Sequence, residues 1–346
     1  MSFIPEGAIR LNTDSQKLEF YAQDQWWEIA TDVPNLDVRT NSDNSYETGS
    51  RGFVSGGQSP SNGEKIEYIT IPTLGNAVDF GDLNEARKYC TGTSSRTRGV
   101  TAGGESPSTP KVAQVDVITM ASTGNAVDWG DMPAGQTYIA GCGNQTRGVF
   151  GGGKDPSNAA TNNIMYISIA SNGMSDTFGD LSNPNGSIRK NCGAVSNPTR
   201  GLFAGGYTPT AVGDIEYITI ASTGDGTDFG DLLPDAIGTN SGHTGSSTRA
   251  LMWSSGVSPY KSIDYVTFST TGNSVDFGDS TNELGYRNCT SDTVRGIGFA
   301  GQSGPGPRET IESVYIATTG NAIDFGDLNY TSHHAAASFS TGHGGL

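Results

Sequence analysis

Short runs of β-branched and aromatic residues, separated by small turn-forming residues, recur along most of this chain. The segment YITIASTGDGTDFGDL, at residues 217–232, has an Ile-rich run and a Phe-containing run on either side of Thr-Gly-Asp. Two such runs about a tight turn predict a β-hairpin. The other copies occupy residues 68–83, 117–132, 166–181, 265–280 and 313–328.

The hairpin has the same length in all six copies, and an aromatic residue always lies 12 positions after its first residue. An inserted residue would turn every later side chain to the opposite face, so a constant length indicates that one face is buried. We therefore expect the six aromatic residues to be buried between neighbouring repeats. They are Phe80, Trp129, Phe178, Phe229, Phe277 and Phe325.

Each hairpin belongs to a longer repeat. An arginine and an apolar strand open the repeat, an irregular loop leads into the hairpin, and a strand of small residues follows it. Four strands in a period of about 48 residues indicate the blade of a β-propeller. The opening arginines are 46 to 53 residues apart, at Arg51, Arg98, Arg147, Arg200, Arg249 and Arg295.

These arginines have two possible roles. A ring of guanidinium groups could grip an anion, or each guanidinium could be forked onto carbonyl oxygens or onto the Asp of an adjacent hairpin. The structural role is favoured, because every repeat supplies acidic residues of its own.

Residues 334–340, with the sequence HAAASFS, read like the first strand of a further repeat. A propeller ring must close, and pairing this strand with the first repeat would protect two exposed edges. The predicted fold is therefore all-β: a six-bladed propeller of four-stranded blades over residues 50–346, closed by the C-terminal strand.

The N-terminal part of the chain differs from the repeats. Residues 1–32 predict a small β module of three short strands, and the polar residues 33–49 predict a linker. About thirty residues cannot bury a core of their own. The module is therefore expected to dock on the repeats, on other copies of itself or on another protein, and its candidate docking residues are Phe20, Tyr21, Trp26 and Trp27.

Charge and composition narrow the function. A formal net charge of −16 argues against binding to a nucleic-acid backbone. No apolar run reaches the roughly 18 residues of a membrane span, and the start of the chain lacks a signal-peptide pattern. Synthesis in a cytoplasm without membrane insertion is expected.

The chain lacks the usual signatures of catalysis. Asp-Phe-Gly occurs in several hairpins without the other kinase motifs, and no nucleophile elbow, P-loop or dinucleotide fingerprint is present. The four cysteines form no CxxC pair and are expected to be small buried residues. We expect the protein not to be an enzyme and to need no cofactor. Asp79 and Asp82 could bind calcium through their carboxylate oxygens, but such residues more often accept hydrogen bonds from backbone amides and stabilise a turn.

The glycine-terminated second strand, the following Tyr and the late aromatic resemble the kelch motif. Here the spacing from Tyr to the aromatic is longer than in ordinary kelch repeats, and Phe is more frequent than Trp, so the resemblance is to a kelch-like propeller. The whole pattern, with Thr-Gly-Asn-Ala-x-Asp-Phe-Gly-Asp-Leu hairpins and a Gly-Gly-Leu ending, is similar to repeat proteins of bacteriophages that infect marine cyanobacteria.

The N-terminal module resembles modules of phage tail-fibre proteins, through Gly-Ala-Ile-Arg at 7–10, Asn-Thr at 12–13, Lys17, Glu19, Tyr21 and Trp26 or Trp27. Together the resemblances imply a virion structural protein, attached to other virion proteins through this module. The expected function is a surface appendage or tail-fibre-like adhesin that meets a host glycan or protein. The alternatives are a capsid or tail decoration without a receptor role and, in a different class, a propeller enzyme that acts on carbohydrate.

The loops that lead into the hairpins share almost no sequence, whereas the hairpin turns are near-copies. Binding residues tend to lie on loops held by a rigid scaffold. Unconstrained drift could also make these loops vary, but we predict that they form the binding face. The candidate binding residues are Lys65, Lys111, Lys154, Tyr207, Tyr260, Lys261 and Arg308.

Overall fold

The structure is a computed structural model of the 346-residue chain. It describes residues 5, 7–12, 17–22, 25–28, 51–58, 61–171, 176–182, 189–208, 210–234, 242–253, 261–303 and 306–346. The chain divides into two compact units, Met1–Glu47 and Thr48–Leu346. The predicted linker, at residues 33–49, lies outside the described residues.

The first unit contains one antiparallel sheet of three strands in sequential order, β1 (Ile9–Asn12), β2 (Lys17–Ala22) and β3 (Gln25–Glu28). Arg10 donates to Glu19 Oε2 at 2.8 Å, and its guanidinium carbon lies 4.1 Å from the centre of the Trp26 ring. Tyr21 and Trp26 meet edge to face at 5.3 Å. The side chains of Phe20 and Trp27 are outside the described part of the chain.

The second unit is a six-bladed β-propeller of four-stranded antiparallel blades, as the repeats predicted. From the inner to the outer strand, blade 1 contains β29 (Ala337–Ser340), β4 (Arg51–Ser55), β5 (Lys65–Thr70) and β6 (Val78–Asp82). Blade 2 contains β7 (Thr91–Ser94), β8 (Arg98–Ala102), β9 (Gln114–Thr119) and β10 (Val127–Asp131). Blade 3 contains β11 (Ala140–Gly143), β12 (Arg147–Gly151), β13 (Asn163–Ser168) and β14 (Asp176–Asp180).

The remaining blades follow the same order. Blade 4 contains β15 (Gly193–Ser196), β16 (Arg200–Ala204), β19 (Asp214–Thr219) and β20 (Thr227–Asp231), with a two-stranded ribbon, β17 (Tyr207–Thr208) and β18 (Thr210–Ala211), in its loop. Blade 5 contains β21 (His243–Gly245), β22 (Arg249–Trp253), β23 (Ser262–Thr267) and β24 (Val275–Asp279). Blade 6 contains β25 (Asn288–Ser291), β26 (Arg295–Ser303), β27 (Gly306–Tyr315) and β28 (Ile323–Asp327), and a short 3-10 turn, Thr331–His333, precedes β29.

The predicted closure by the C-terminal strand is confirmed. β29 pairs with β4 in a register that matches Ala337 with Ser55 and Ser340 with Gly52. The Phe339 ring stacks on the Phe53 ring, with their centres 5.4 Å apart. The first blade is therefore built from the two ends of the propeller sequence.

The core lies between the blades. Six clusters of buried side chains each join residues of two neighbouring blades, and the hairpin aromatics take part in them. Phe80, Phe178, Phe229, Phe277 and Phe325 are buried, while Trp129 is half-buried. The constant length of the hairpin thus places one large ring at each blade contact.

Each hairpin turn also bonds to the outer strand of the preceding blade. In one such contact the Gly224 amide donates to the Phe178 carbonyl at 2.9 Å, and the Gly226 amide donates to the Asp180 carbonyl at 2.8 Å. The Asp180 amide donates to the side chain of Asp225 at 3.0 Å. Equivalent bonds join five of the six neighbouring pairs; the turn of blade 3 lies outside the described residues. These bonds explain why the turn and the Phe-Gly-Asp segment repeat together.

The Phe-Gly-Asp glycines allow the close approach of the next turn. Gly230 has a φ of 147°, and a Cβ atom on it would lie 2.4 Å from the carbonyl oxygen of Gly272. We expect Gly230→Ala to lower the free energy of unfolding by roughly 1–3 kcal/mol more than Gly224→Ala does. Gly224 is the matched control, because its φ of 158° is similar and a Cβ atom there would meet no atom within 4 Å. Equal losses in urea unfolding would contradict this account of the contact.

Candidate functional site

The two faces of the propeller differ in what they present. The loops between the second and third strands and the crossings into the next inner strand emerge together, and we call this side the variable face. The hairpin turns and the turns between the inner and second strands emerge on the other side, the turn face.

On the turn face, the six repeat arginines join neighbouring blades. Arg51 donates to the Met120 carbonyl of the next blade at 3.0 Å, and its guanidinium carbon lies 4.8 Å from the centre of the Tyr68 ring in its own blade. The other five arginines likewise donate to a carbonyl of the next blade and cover a ring of their own blade. The ring is that of Trp129 under Arg98 and of Tyr315, two residues farther along the third strand, under Arg295. The sequence left two structural partners open, carbonyl oxygens and the Asp of an adjacent hairpin. The arginines bond the carbonyl oxygens.

Buried ion pairs tie the crossing segments to the blades, and the sequence reasoning missed them. The acidic residue lies in the third strand, just before the first residue of the repeated hairpin. Its partner comes from the crossing segment that enters the same blade. Buried pairs of this kind are Arg87–Asp116 at 2.6 Å, Arg287–Glu312 at 2.9 Å and Arg189–Glu216. In blade 1 the His333 ring occupies the place of the arginine, with Nε2 2.9 Å from Glu67 Oε2. The sequence does contain a signal for these pairs, because an acidic residue occupies this position in five of the six repeats.

The six inner strands surround a central channel that holds a cavity of about 140 Å³. Small residues dominate its lining, which includes Gly92, Gly141, Ala194, Thr244 and Ser338. The four cysteines are free and buried, and burial raises the pKa of Cys90 and Cys192 to about 11 and that of Cys142 to about 12. Their thiols therefore stay protonated at neutral pH and act as packing groups.

The turn-face end of the channel is crossed by residues 342–345. The His343 ring donates through Nε2 to the Ser94 carbonyl at 3.0 Å, and its Nδ1 accepts from the Gly345 amide at 3.0 Å. Gly344 and Gly345 lie against the ends of the inner strands of blades 3, 4 and 5. This crossing leaves the opposite end as the approach to the cavity.

At that opposite end, the residue two before the inner strand has a left-handed backbone in five of the blades, and the matching residue 241 of blade 5 lies outside the described residues. Tyr89, Tyr138, Asn191, Tyr286 and Ala335 have φ values of 55–62°. Backbone bonds link them around the channel: Ala335 donates to Tyr286, Tyr89 to Ala335, Tyr138 to Tyr89, and Asn191 to Tyr138, over 2.7–3.3 Å. Such a conformation costs of order 1–3 kcal/mol for a residue with a side chain, and strained backbone of this kind clusters at functional sites.

Aromatic and cationic side chains cover this ring. We call Lys88, Tyr89, Tyr138, Lys154, Lys190 and Tyr286 the channel mouth. The Tyr89 ring stacks on the Tyr138 ring with centres 4.0 Å apart and lies 6.3 Å from the Tyr286 ring. Lys88 Nζ lies 5.0 Å from the centre of the Tyr89 ring, and Lys154 Nζ lies 5.1 Å from that of Tyr138. All six side chains are half-buried.

The candidate residues from the sequence are only partly brought together. Lys154 belongs to the channel mouth, and Tyr207 lies beside it, 38% exposed, with Lys190 Nζ 5.2 Å from its ring centre. Lys111 donates to Asn158 Oδ1 at 3.0 Å, on the loop that carries Lys154.

The other candidates lie farther out on the variable face. Lys65 pairs with Asp82 at 2.7 Å, and this bond raises the pKa of the Lys65 ammonium. Lys261 and Arg308 line one groove together with Glu283, which lies 3.9 Å from Lys261 Nζ. Tyr260 is outside the described residues.

No protein-family model matches this chain, and no curated protein matches it significantly. Its function is therefore argued from its own geometry, since a propeller alone does not specify an activity. Within the described ranges, no three His, Cys, Asp or Glu side chains are grouped so that they could hold a metal ion. No helix of this part of the chain is long and apolar enough to cross a membrane.

Proposed function

We propose that the protein is a non-enzymatic recognition protein that meets its target through the variable face. The observation that carries this proposal is the contrast between the two faces. Repeated bonds between blades occupy the arginines and hairpin turns of the turn face. The variable face presents irregular loops around a rigid aromatic and cationic channel mouth, which is the kind of surface that binding sites use.

The proposed setting is a bacteriophage virion, in which the protein is a surface appendage or tail-fibre-like adhesin. The resemblance of the repeats and of the N-terminal module to phage proteins supports this setting. In this arrangement the first unit docks on other virion proteins, and the propeller contacts a glycan or protein of the host surface. The separate sheet formed by β1, β2 and β3 suits a docking role because it is too small to supply a large core.

Deleting residues 1–32 tests the docking role. We expect the shortened chain to keep the thermal unfolding transition of the propeller, because Thr48–Leu346 forms a compact unit with its own core. We also expect it to be missing from purified phage particles, as measured by immunoblotting. Normal incorporation of the shortened chain would contradict docking through this unit.

A separate measurement tests recognition. Labelled full-length protein should adhere to host cells, and a protein that fails to adhere while still entering particles would instead be a decoration without a receptor role.

A further inference from the structure

All lysines of the propeller lie on one face. The chain has seven lysines, and only Lys17 belongs to the first unit. The other six lie in the irregular loops, at the start of a third strand, or in the crossings, and all of these positions belong to the variable face. They are Lys65, Lys88, Lys111, Lys154, Lys190 and Lys261. The six repeat arginines of the turn face are held by carbonyl oxygens and aromatic rings. In this acidic chain the lysines therefore make the variable face the candidate surface for binding an anion.

The ammonium groups at the centre of this face differ in their acidic partners. Among the described residues, Lys154 and Lys190 form no salt bridge, and Lys88 lies 3.9 Å from Glu105 Oε2. The neighbouring Asp155 already accepts bonds from the Ser157 hydroxyl and amide. The Gly153 amide donates to the Arg189 carbonyl at 3.2 Å, which places Lys154 next to Lys190. Two neighbouring ammonium groups that form no salt bridge can both donate charge-assisted hydrogen bonds to an anion.

The pKa values agree with this charge distribution. Burial and the adjacent ammonium of Lys154 lower the pKa of Lys190. Burial and the ammonium of Lys88 lower the pKa of His334, whose ring lies 6.3 Å from that of Tyr286. Burial is the larger cause of both shifts, and the neighbouring ammonium group adds to it.

The aromatic rings add a second recognition element. Tyr286, Tyr89 and Tyr138 form a continuous row, and the backbone bonds that join the left-handed residues fix the backbone of all three. Flat, rigid rings beside polar groups suit a ligand that has one apolar face and several hydroxyl groups, and a fixed site loses little entropy on binding. A saccharide has this combination of surfaces.

We propose that the channel mouth binds a saccharide that carries carboxylate groups, with a carboxylate between Lys154 and Lys190 and a sugar ring beside the stacked pair of Tyr89 and Tyr138. This inference deepens the proposed recognition function and rests on it. The rest of the acidic surface repels such a ligand, so binding is confined to the channel mouth and weakens as salt is added.

Calorimetric titration of the full-length chain at low ionic strength tests the inference. The probes are tetragalacturonate, the same tetrasaccharide with its carboxyl groups methyl-esterified, and inorganic phosphate. We expect tetragalacturonate to bind at least about tenfold more tightly than the ester, since a hydrogen bond to a charged group contributes on this scale. Equal affinity for the acid and the ester, or tetragalacturonate affinity no higher than that of phosphate, would overturn the proposal.

Two variants locate the site. Lys154→Gln should weaken tetragalacturonate binding by about tenfold or more. Arg96→Gln is the matched control, because it removes one positive charge from an exposed turn on the turn face and should leave the affinity unchanged. Equal effects of the two substitutions would show that overall charge, and not the channel mouth, governs binding, and would overturn the proposal.

Adhesion to host cells separates this inference from the proposed function. If the protein adheres to host cells, tetragalacturonate does not inhibit adhesion and no tetragalacturonate binding is measured by calorimetry, the carboxylated saccharide is rejected as the ligand. The proposed recognition function then still stands. If the protein does not adhere to host cells but binds tetragalacturonate tightly, and Lys154→Gln weakens that binding, the adhesin role is rejected. The carboxylated saccharide then still stands as the ligand class.

Discussion

Deleting residues 333–346 is expected to abolish the single cooperative unfolding transition of the propeller. The deletion removes the inner strand of blade 1 and the stack of Phe339 on Phe53, and loss of a core Phe costs about 3–5 kcal/mol. It also removes the His333 ring, whose Nε2 lies 2.9 Å from the buried Glu67 carboxylate, and a buried polar group that loses its partner costs about 1–3 kcal/mol. These losses approach the whole stability of a typical domain, about 5–15 kcal/mol.

Urea unfolding followed by circular dichroism and by fluorescence measures this effect. The control is a chain that lacks only residues 342–346, which keeps β29 paired with β4 and loses the His343 bond to Ser94. The control should retain one transition with coincident probes. If the longer deletion unfolds with the midpoint and slope of the full-length chain, the closing strand does not hold the ring together.

Replacing Arg189 by Met is expected to lower the free energy of unfolding by about 3–5 kcal/mol, because it leaves Glu216 buried and without its cation. Both side chains of the pair are fully buried. Arg189 also donates to the Asp214 carbonyl at 2.8 Å, so the substitution leaves that oxygen without this donor. Equilibrium unfolding in urea measures the loss.

The control is a double variant that follows blade 3, where the position of the buried acid is occupied by an apolar residue. Met165 occupies the place of the buried acid there: it pairs with Phe150 across the sheet as Glu216 pairs with Phe203. The double variant Arg189→Met/Glu216→Met places Met at the position of the acid, as in blade 3, and a second apolar side chain at the position of the cation. It should recover most of the stability, since replacing both ions of a buried pair is often close to neutral. A double variant that is less stable than Arg189→Met alone would contradict the assigned cause.

The architecture could be predicted from the sequence because its signals are local. The hairpin keeps one length in each repeat, and the strand at 337–340 has the small residues of an inner strand, so blade number and closure followed from the chain itself. The partners of the repeat arginines could not be chosen in the same way. Every residue has a backbone carbonyl, so the sequence does not show which carbonyl an arginine bonds. The other candidate partner, the Asp of an adjacent hairpin, could be named from the sequence.

The channel mouth could not be predicted, because its residues come from separate crossings. Lys88 and Tyr89, Tyr138, Lys190 and Tyr286 are far apart in the chain and meet only when the ring closes. The buried acids recur in register, but their partners are Arg or His from crossings of different sequence. Lys154 could be named as a candidate binding residue because it lies on a variable loop, whose bounds the sequence shows.

Hydrogen exchange of the full-length chain, alone and bound to purified envelopes of host cells, tests recognition through the variable face most directly. We expect slower exchange on binding at residues 88–90, 105–112, 137–139 and 154–161, which surround the channel mouth. Exchange at the hairpin turns 123–126, 223–226, 271–274 and 319–322 should be unchanged. Protection confined to those turns would show that the opposite face meets the target and would contradict the proposed function.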